Sequence, residues 1–166
     1  MISPADTLWV LVASAMVLLM TPGLALFYGG LVDRRNVLST KLHSFFAISL
    51  ITLQWVVIGY SLSFAEGNLF VGGLEYFMMN GVGTDPGPFA ETIPHVAFSS
   101  FQMMFAIITP ALVSGAFAER LKFSSFLVFT LLWSTLVYDP VCHWVWGGGL
   151  LAAPSADNAV NGLIAR

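Results

Sequence analysis

The sequence predicts an all-α, polytopic membrane protein with four transmembrane helices, and three observations lead there. Hydrophobic residues make up 57% of the chain and charged residues 9%, with a mean hydropathy of +0.84, whereas a soluble domain carries roughly a quarter charged residues. Four apolar runs are each long enough to cross a bilayer core of about 30 Å as a helix. The basic residues gather in two short connections: Arg34, Arg35 and Lys41 in one, Arg120 and Lys122 in the other.

The first span covers about residues 7–29. Trp9 opens it at headgroup level, and no charge interrupts LVASAMVLLMTPGLALFYGG. Pro22 and Gly23 would end a helix in water, but a membrane span tolerates a proline kink because neighbouring groups re-satisfy the freed carbonyl. The run exceeds a signal-peptide core and lacks a basic leader, so it reads as a retained span. A second span covers about 43–64. An outer loop over about 65–93 then carries Glu66, Glu75, Asp85 and Glu91 without one lysine or arginine.

The third span, about 94–118, places Phe98, Phe101 and Phe105 on one helical stripe, because residues three and four apart lie one above another. Such a face packs against a neighbour or lines something. The fourth span covers about 123–146. By the positive-inside tendency the two basic connections face the cytoplasm, so the N-terminus and the acidic loop face outward. The plasma membrane is the expected location.

Polar residues inside spans are costly and mark partners or cavities. Asp139 is the clearest case, and its place beside Pro140 suggests headgroup depth with water close by. Gly147, Gly148 and Gly149 follow Trp146 directly and allow a close backbone approach. His43, His95 and His143 have no metal-ligand spacing and receive no site. The single cysteine, Cys142, excludes an internal disulfide. The net charge of −3 gives no reason to expect nucleic acid. Taken alone, Phe105 reads as a packing residue and Trp146 as an interface anchor.

Four segments in order change that balance. TPGLALFYGGLV at 21–32, FQMMFAIITPALVSGAFAER at 101–120, LKFSSFLVF after it and HWVWGGGLL at 143–151 resemble the ammonium transporter (Amt/Mep/Rh) family, collinearly over about 150 residues. The resemblance implies a transporter and not an enzyme, with no cofactor. It implies an eleven-helix fold of inverted repeats, of which these four spans match the first part, and a homotrimer in the full-length form. Ammonium or ammonia is the substrate implied, with the lipid bilayer as surroundings. Trp146 resembles the tryptophan of the family's outer recruitment site and Phe105 its outer gate, with Phe101 a further candidate one turn outward.

The resemblance also has an edge. Relatives continue after HWVWGGGLL into a glycine-rich segment and a pore histidine, where this sequence reads AAPSADNAVNGLIAR. Asp157 stands near the expected aspartate. The whole of 1–166 is therefore expected to be a partial transporter domain with a truncated tail over 150–166, not competent to conduct alone, since such sites lie between two repeats. Two alternatives stay open: an Amt-like ammonium sensor domain, and a non-conducting membrane subunit packing through Ala111, Gly115 and Ala118.

Overall fold

A computed structural model describes residues 1–152; Asp157 and the rest of the tail lie outside the described residues. Four helices are long and apolar enough to cross a membrane: Pro4–Leu31, Val37–Phe64, His95–Phe117 and Phe123–Val145. The second begins six residues before the apolar run that announced it. Polar Ser39, Thr40 and Lys41 continue the helix, and a helix end reaching into water has no need of hydropathy. Two compact units share these helices. One comprises Met1–Leu53 and Val82–Leu131, the other Gln54–Gly81 and the chain from Leu132 onward.

In the first unit, α1 (Pro4–Leu31) starts where Ser3 Oγ accepts the Asp6 N–H at 3.3 Å with Pro4 at the first helical position, an arrangement that satisfies one of the orphan amides of a helix start. It runs unbroken through Pro22. α2 (Val37–Gln54), α4 (His95–Val113) and α5 (Phe123–Trp133) supply the rest of the helical part; α3 (Tyr60–Phe64) belongs to the other unit. Ala47, Ala111 and Phe126 form the core, with Leu24, Leu121 and Leu127 packed against it. Tyr28 Oη donates to the Leu112 carbonyl at 3.0 Å, and a Cβ at Gly115 would lie 2.5 Å from the Tyr28 ring. Ala111 and Gly115, the small residues suggested for packing between chains, are thus used within this unit. His43 is buried between Phe123 and Phe126, with ring centroids 5.5 and 4.5 Å away. The acidic loop ends in a short antiparallel pair, β1 (Pro86–Gly87) with β2 (Ala90–Pro94), and Ser3 N–H donates to Thr92 O at 2.8 Å.

Glu119 joins the first and third connections. Its carboxylate accepts the Asp33 backbone N–H at 2.7 Å and the Asn36 amide at 3.2 Å, from a left-handed backbone with φ +66°. The Asp33 N–H, and after it Asn36, hold the carboxyl below its usual range. Both bonds are made to the charged form, so the clasp is complete above the ordinary carboxylate value and is lost as pH falls through the lowered one. Protection of the Asp33 amide from hydrogen exchange, corrected for the intrinsic rate, is expected to fade over that interval. Glu119→Ala should abolish it at every pH; unchanged protection in that variant would show that the clasp is absent.

In the second unit, α3 (Tyr60–Phe64) follows a π-helical turn, Trp55–Gly59, and α6 (Asp139–Val145) follows another, Ser134–Tyr138. Two of the three unit boundaries, after Leu53 and after Leu131, therefore fall inside spans, close to a change of helical winding. The loop after α3 is fastened to the helix end instead of hanging free. Gly72 N–H donates to Leu62 O at 2.8 Å, Ser61 Oγ donates to Gly73 O at 3.0 Å and accepts Tyr76 N–H at 3.0 Å. Burial, and then the charges of Glu75 and Glu66, push the Tyr76 phenol above its usual value.

Candidate functional site

Trp146 sits where α6 ends. Its N–H still donates to Cys142 O at 2.8 Å, Gly147 N–H and Gly149 N–H both donate to His143 O at 3.0 Å, and Gly148 turns the chain with φ +87°. That left-handed turn suits glycine, which pays no Cβ penalty.

Three fastenings hold this corner to the loop after α3. The buried His143 ring lies between two carbonyls, Nδ1 at 3.1 Å from Ser63 O and Nε2 at 2.9 Å from Asn68 O. A neutral imidazole can donate to only one of them. Trp144 Nε1 donates to Phe70 O at 2.7 Å, and its ring meets Phe70 edge on at 6.4 Å. Leu150 N–H donates to Leu69 O at 3.1 Å. The glycines permit this closeness: a Cβ at Gly147 would overlap the Ser63 carbonyl oxygen, and one at Gly149 would meet Leu69 O at 3.0 Å. On the loop side, Asn68 Oδ1 accepts the N–H groups of Phe70 and Val71 at 2.8 and 2.9 Å, a side-chain turn that fixes the carbonyls His143 and Trp144 use. With its neighbours tied down, the Trp146 side chain itself stays 65% exposed.

Phe105 belongs to the first unit. α4 buries Met104, Ile107, Ile108 and Ala111 while Phe105 remains 38% exposed. Phe101 meets it edge to face at 5.1 Å, a favoured aromatic geometry. Phe98, on the same helix, stacks on Phe89 at 5.8 Å. Thr109 Oγ1 donates back to Phe105 O at 2.7 Å just before Pro110. The structure thus brings Phe101 and Phe105 together, and places Trp146 on the other unit.

Asp139 is shut away from the water expected close by. It is 0% exposed, and Gln54 Nε2 donates to its Oδ2 at 2.6 Å. The reading from sequence passed over Gln54 and gave His143 no role. Gln54 was available as a signal, being a carboxamide inside an apolar run. His143 was not, because its partners are backbone carbonyls.

Aromatic rings at such places can receive a cation or exclude one. The Ammonium Transporter Family model matches residues 8–164. An ammonium transporter of Bacillus subtilis is 53% identical over 157 residues, covering 95% of this chain and 39% of its own length. One from Aquifex aeolicus is 44% identical over 165 residues, covering 96% and 38%. The crystal structure of Candida albicans Mep2 superposes with a TM-score of 0.79 at 36% identity, over 89% of this chain and 32% of that one. A structure titled Sensor Amt Protein gives 0.77 at 26%, over 86% and 34%. The chain therefore spans well under half the length of these relatives. A family match over nearly the whole chain, joined by four spanning helices, shows that it belongs to the Ammonium Transporter Family.

Proposed function

We propose that the chain serves transmembrane ammonium transport, receiving ammonium from the outer aqueous phase on the indole face of Trp146. The observation that carries this is the exposed Trp146 ring on a corner held by three fastenings. Ammonium is a small cation, and an indole offers the strongest cation–π face among side chains. Phe105, with Phe101 against it, takes the role of an apolar barrier that opposes a bare ion more than neutral ammonia. The Bacillus and Aquifex relatives are named ammonium transporters, which supports the substrate class. We read residues 1–166 as part of one such domain, and a homotrimer as its full-length assembly.

The chain in lipid nanodiscs is expected to change its tryptophan emission saturably with ammonium chloride and not with choline chloride. Identical responses to the two salts would remove Trp146 from this role. The Sensor Amt Protein likeness supports a second reading, as an ammonium sensor. That reading requires ammonium to alter the affinity for a signalling partner, and binding without such a change counts against it.

The proposed setting is the plasma membrane with the N-terminus and acidic loop outside, argued from the basic connections. Asn80 and Arg35 are both exposed, and native Cys142 is buried. An impermeant maleimide applied to intact cells should label Asn80→Cys and spare Arg35→Cys; the reverse pattern would invert the topology.

A further inference from the structure

The polar cluster around Asp139 has no part in the reading of Trp146. Gln54 Nε2 donates to Asp139 Oδ2 at 2.6 Å and to Thr135 Oγ1 at 3.3 Å. What this leaves over is oxygen. Gln54 Oε1 and Ser134 Oγ are buried without a hydrogen-bond partner, and Asp139 Oδ1 and Ser63 Oγ, equally buried, have no well-directed one, although the Ser63 hydroxyl lies within reach of the Asp139 carboxyl and the Cys142 thiol. Ser63 lies beside the Asp139 carboxyl, and Ser134 lends its carbonyl to the Asp139 N–H. All four residues belong to the second unit.

One amide hydrogen does not neutralise a carboxylate. Asp139 lies six residues inside the end of its span at Val145, about 9 Å along a helix, where an uncompensated charge is expensive. The backbone also departs from α-geometry on both sides of the pair. Gln54 directly precedes the π turn Trp55–Gly59, and Asp139 directly follows Ser134–Tyr138. Such turns interrupt α-helices frequently at functional sites. Gly59 leaves room for the amide, since a Cβ there would lie 2.7 Å from Gln54 Oε1.

We propose that Asp139, Gln54 and Ser63 form a site for one small hard monovalent cation, sodium or ammonium. An all-oxygen donor set suits hard cations, and a single carboxylate balances a single charge. Among the described residues no group of three His, Cys, Asp or Glu could hold a metal ion, so a multivalent ion has no comparable claim. The site differs in kind from Trp146, which offers a π face, and it does not depend on transport.

The test is thermal unfolding of the chain in nanodiscs, with sodium, ammonium or choline chloride at equal ionic strength. Sodium or ammonium should raise the midpoint by about 3 °C or more between millimolar and 100 millimolar salt, relative to choline. Asp139→Asn should remove the sodium rise, Ser63→Ala should shrink it, and Trp146→Leu should leave it intact. A rise with both cations assigns a general cation site, and one with ammonium alone that Asp139→Asn reduces assigns a second substrate site. No rise over choline, or a rise that survives Asp139→Asn and vanishes in Trp146→Leu, overturns the proposal. The last pattern would leave the reading of Trp146 standing, whereas a rise lost only in Asp139→Asn stands even if Trp146 binds nothing.

Discussion

Gly147→Ala is expected to lose about 3 kcal/mol of stability or more, and with it the corner that presents Trp146. The added methyl would overlap the Ser63 carbonyl oxygen and lie 2.7 Å from His143 Nδ1. Neither obstacle can swing aside cheaply, because the first is backbone and the second is wedged between Ser63 O and Asn68 O. The clash would therefore be relieved by parting α6 from the loop after α3, which breaks the His143 contacts. Two neighbouring substitutions calibrate the result. Gly148→Ala meets nothing within 4 Å but must hold φ +87°, a cost of about 1–2 kcal/mol. Gly23→Ala also meets nothing, in the middle of α1, and should be neutral or stabilising by up to about 1 kcal/mol. Unfolding midpoints in one lipid system should fall in the order 147, 148, 23 from lowest to highest. Equal midpoints for 147 and 148 would mean that the close approach to Ser63 is absent.

How much of this was legible in the chain depends on what kind of group carries each contact. The spans were legible because hydropathy over twenty residues is a property of the run itself, whatever it packs against. The glycines after Trp146 were legible too, since a missing Cβ announces close approach without naming the neighbour. The neighbour stayed hidden: Ser63 and Asn68 receive His143 through backbone carbonyls, from 80 and 75 residues away, and every residue has a carbonyl. Asp139 announced itself as a costly charge, yet its partner Gln54 lies 85 residues away. Placing the carboxyl near water was the cheaper solution in the absence of that partner. Gln54 answers one oxygen of the buried carboxyl. The ring that meets Phe98 stayed hidden for a related reason. Helical spacing aligns three rings, but Phe89 from the preceding loop captures Phe98.

Trp146→Leu is expected to weaken ammonium binding about fivefold while leaving the unfolding midpoint close to that of the parent chain. Leucine keeps apolar bulk and removes the π face, so the comparison isolates the cation–π attraction from simple packing. Two magnitudes are available for that attraction, about 0.5–1 kcal/mol at an exposed ring and about 2 kcal/mol or more where water is excluded. With the ring 65% exposed, an arriving ammonium ion keeps much of its hydration, and the lower figure applies. One kcal/mol corresponds to about fivefold in a dissociation constant. Trp146→Phe should fall between the two, since a benzene ring retains a weaker quadrupole. The small effect on stability follows from the geometry of the corner: His143, Trp144 and Leu150 make the fastenings, and the Trp146 side chain makes none of them. The same reasoning separates this variant from Gly147→Ala, which should lose binding and stability together. A Trp146→Leu chain that binds ammonium as tightly as the parent would leave the indole as an interface anchor and move recruitment elsewhere. A loss of thirtyfold or more would instead mean that the ring is desolvated in the working assembly, covered by protein or lipid that the exposed face of the chain alone does not include.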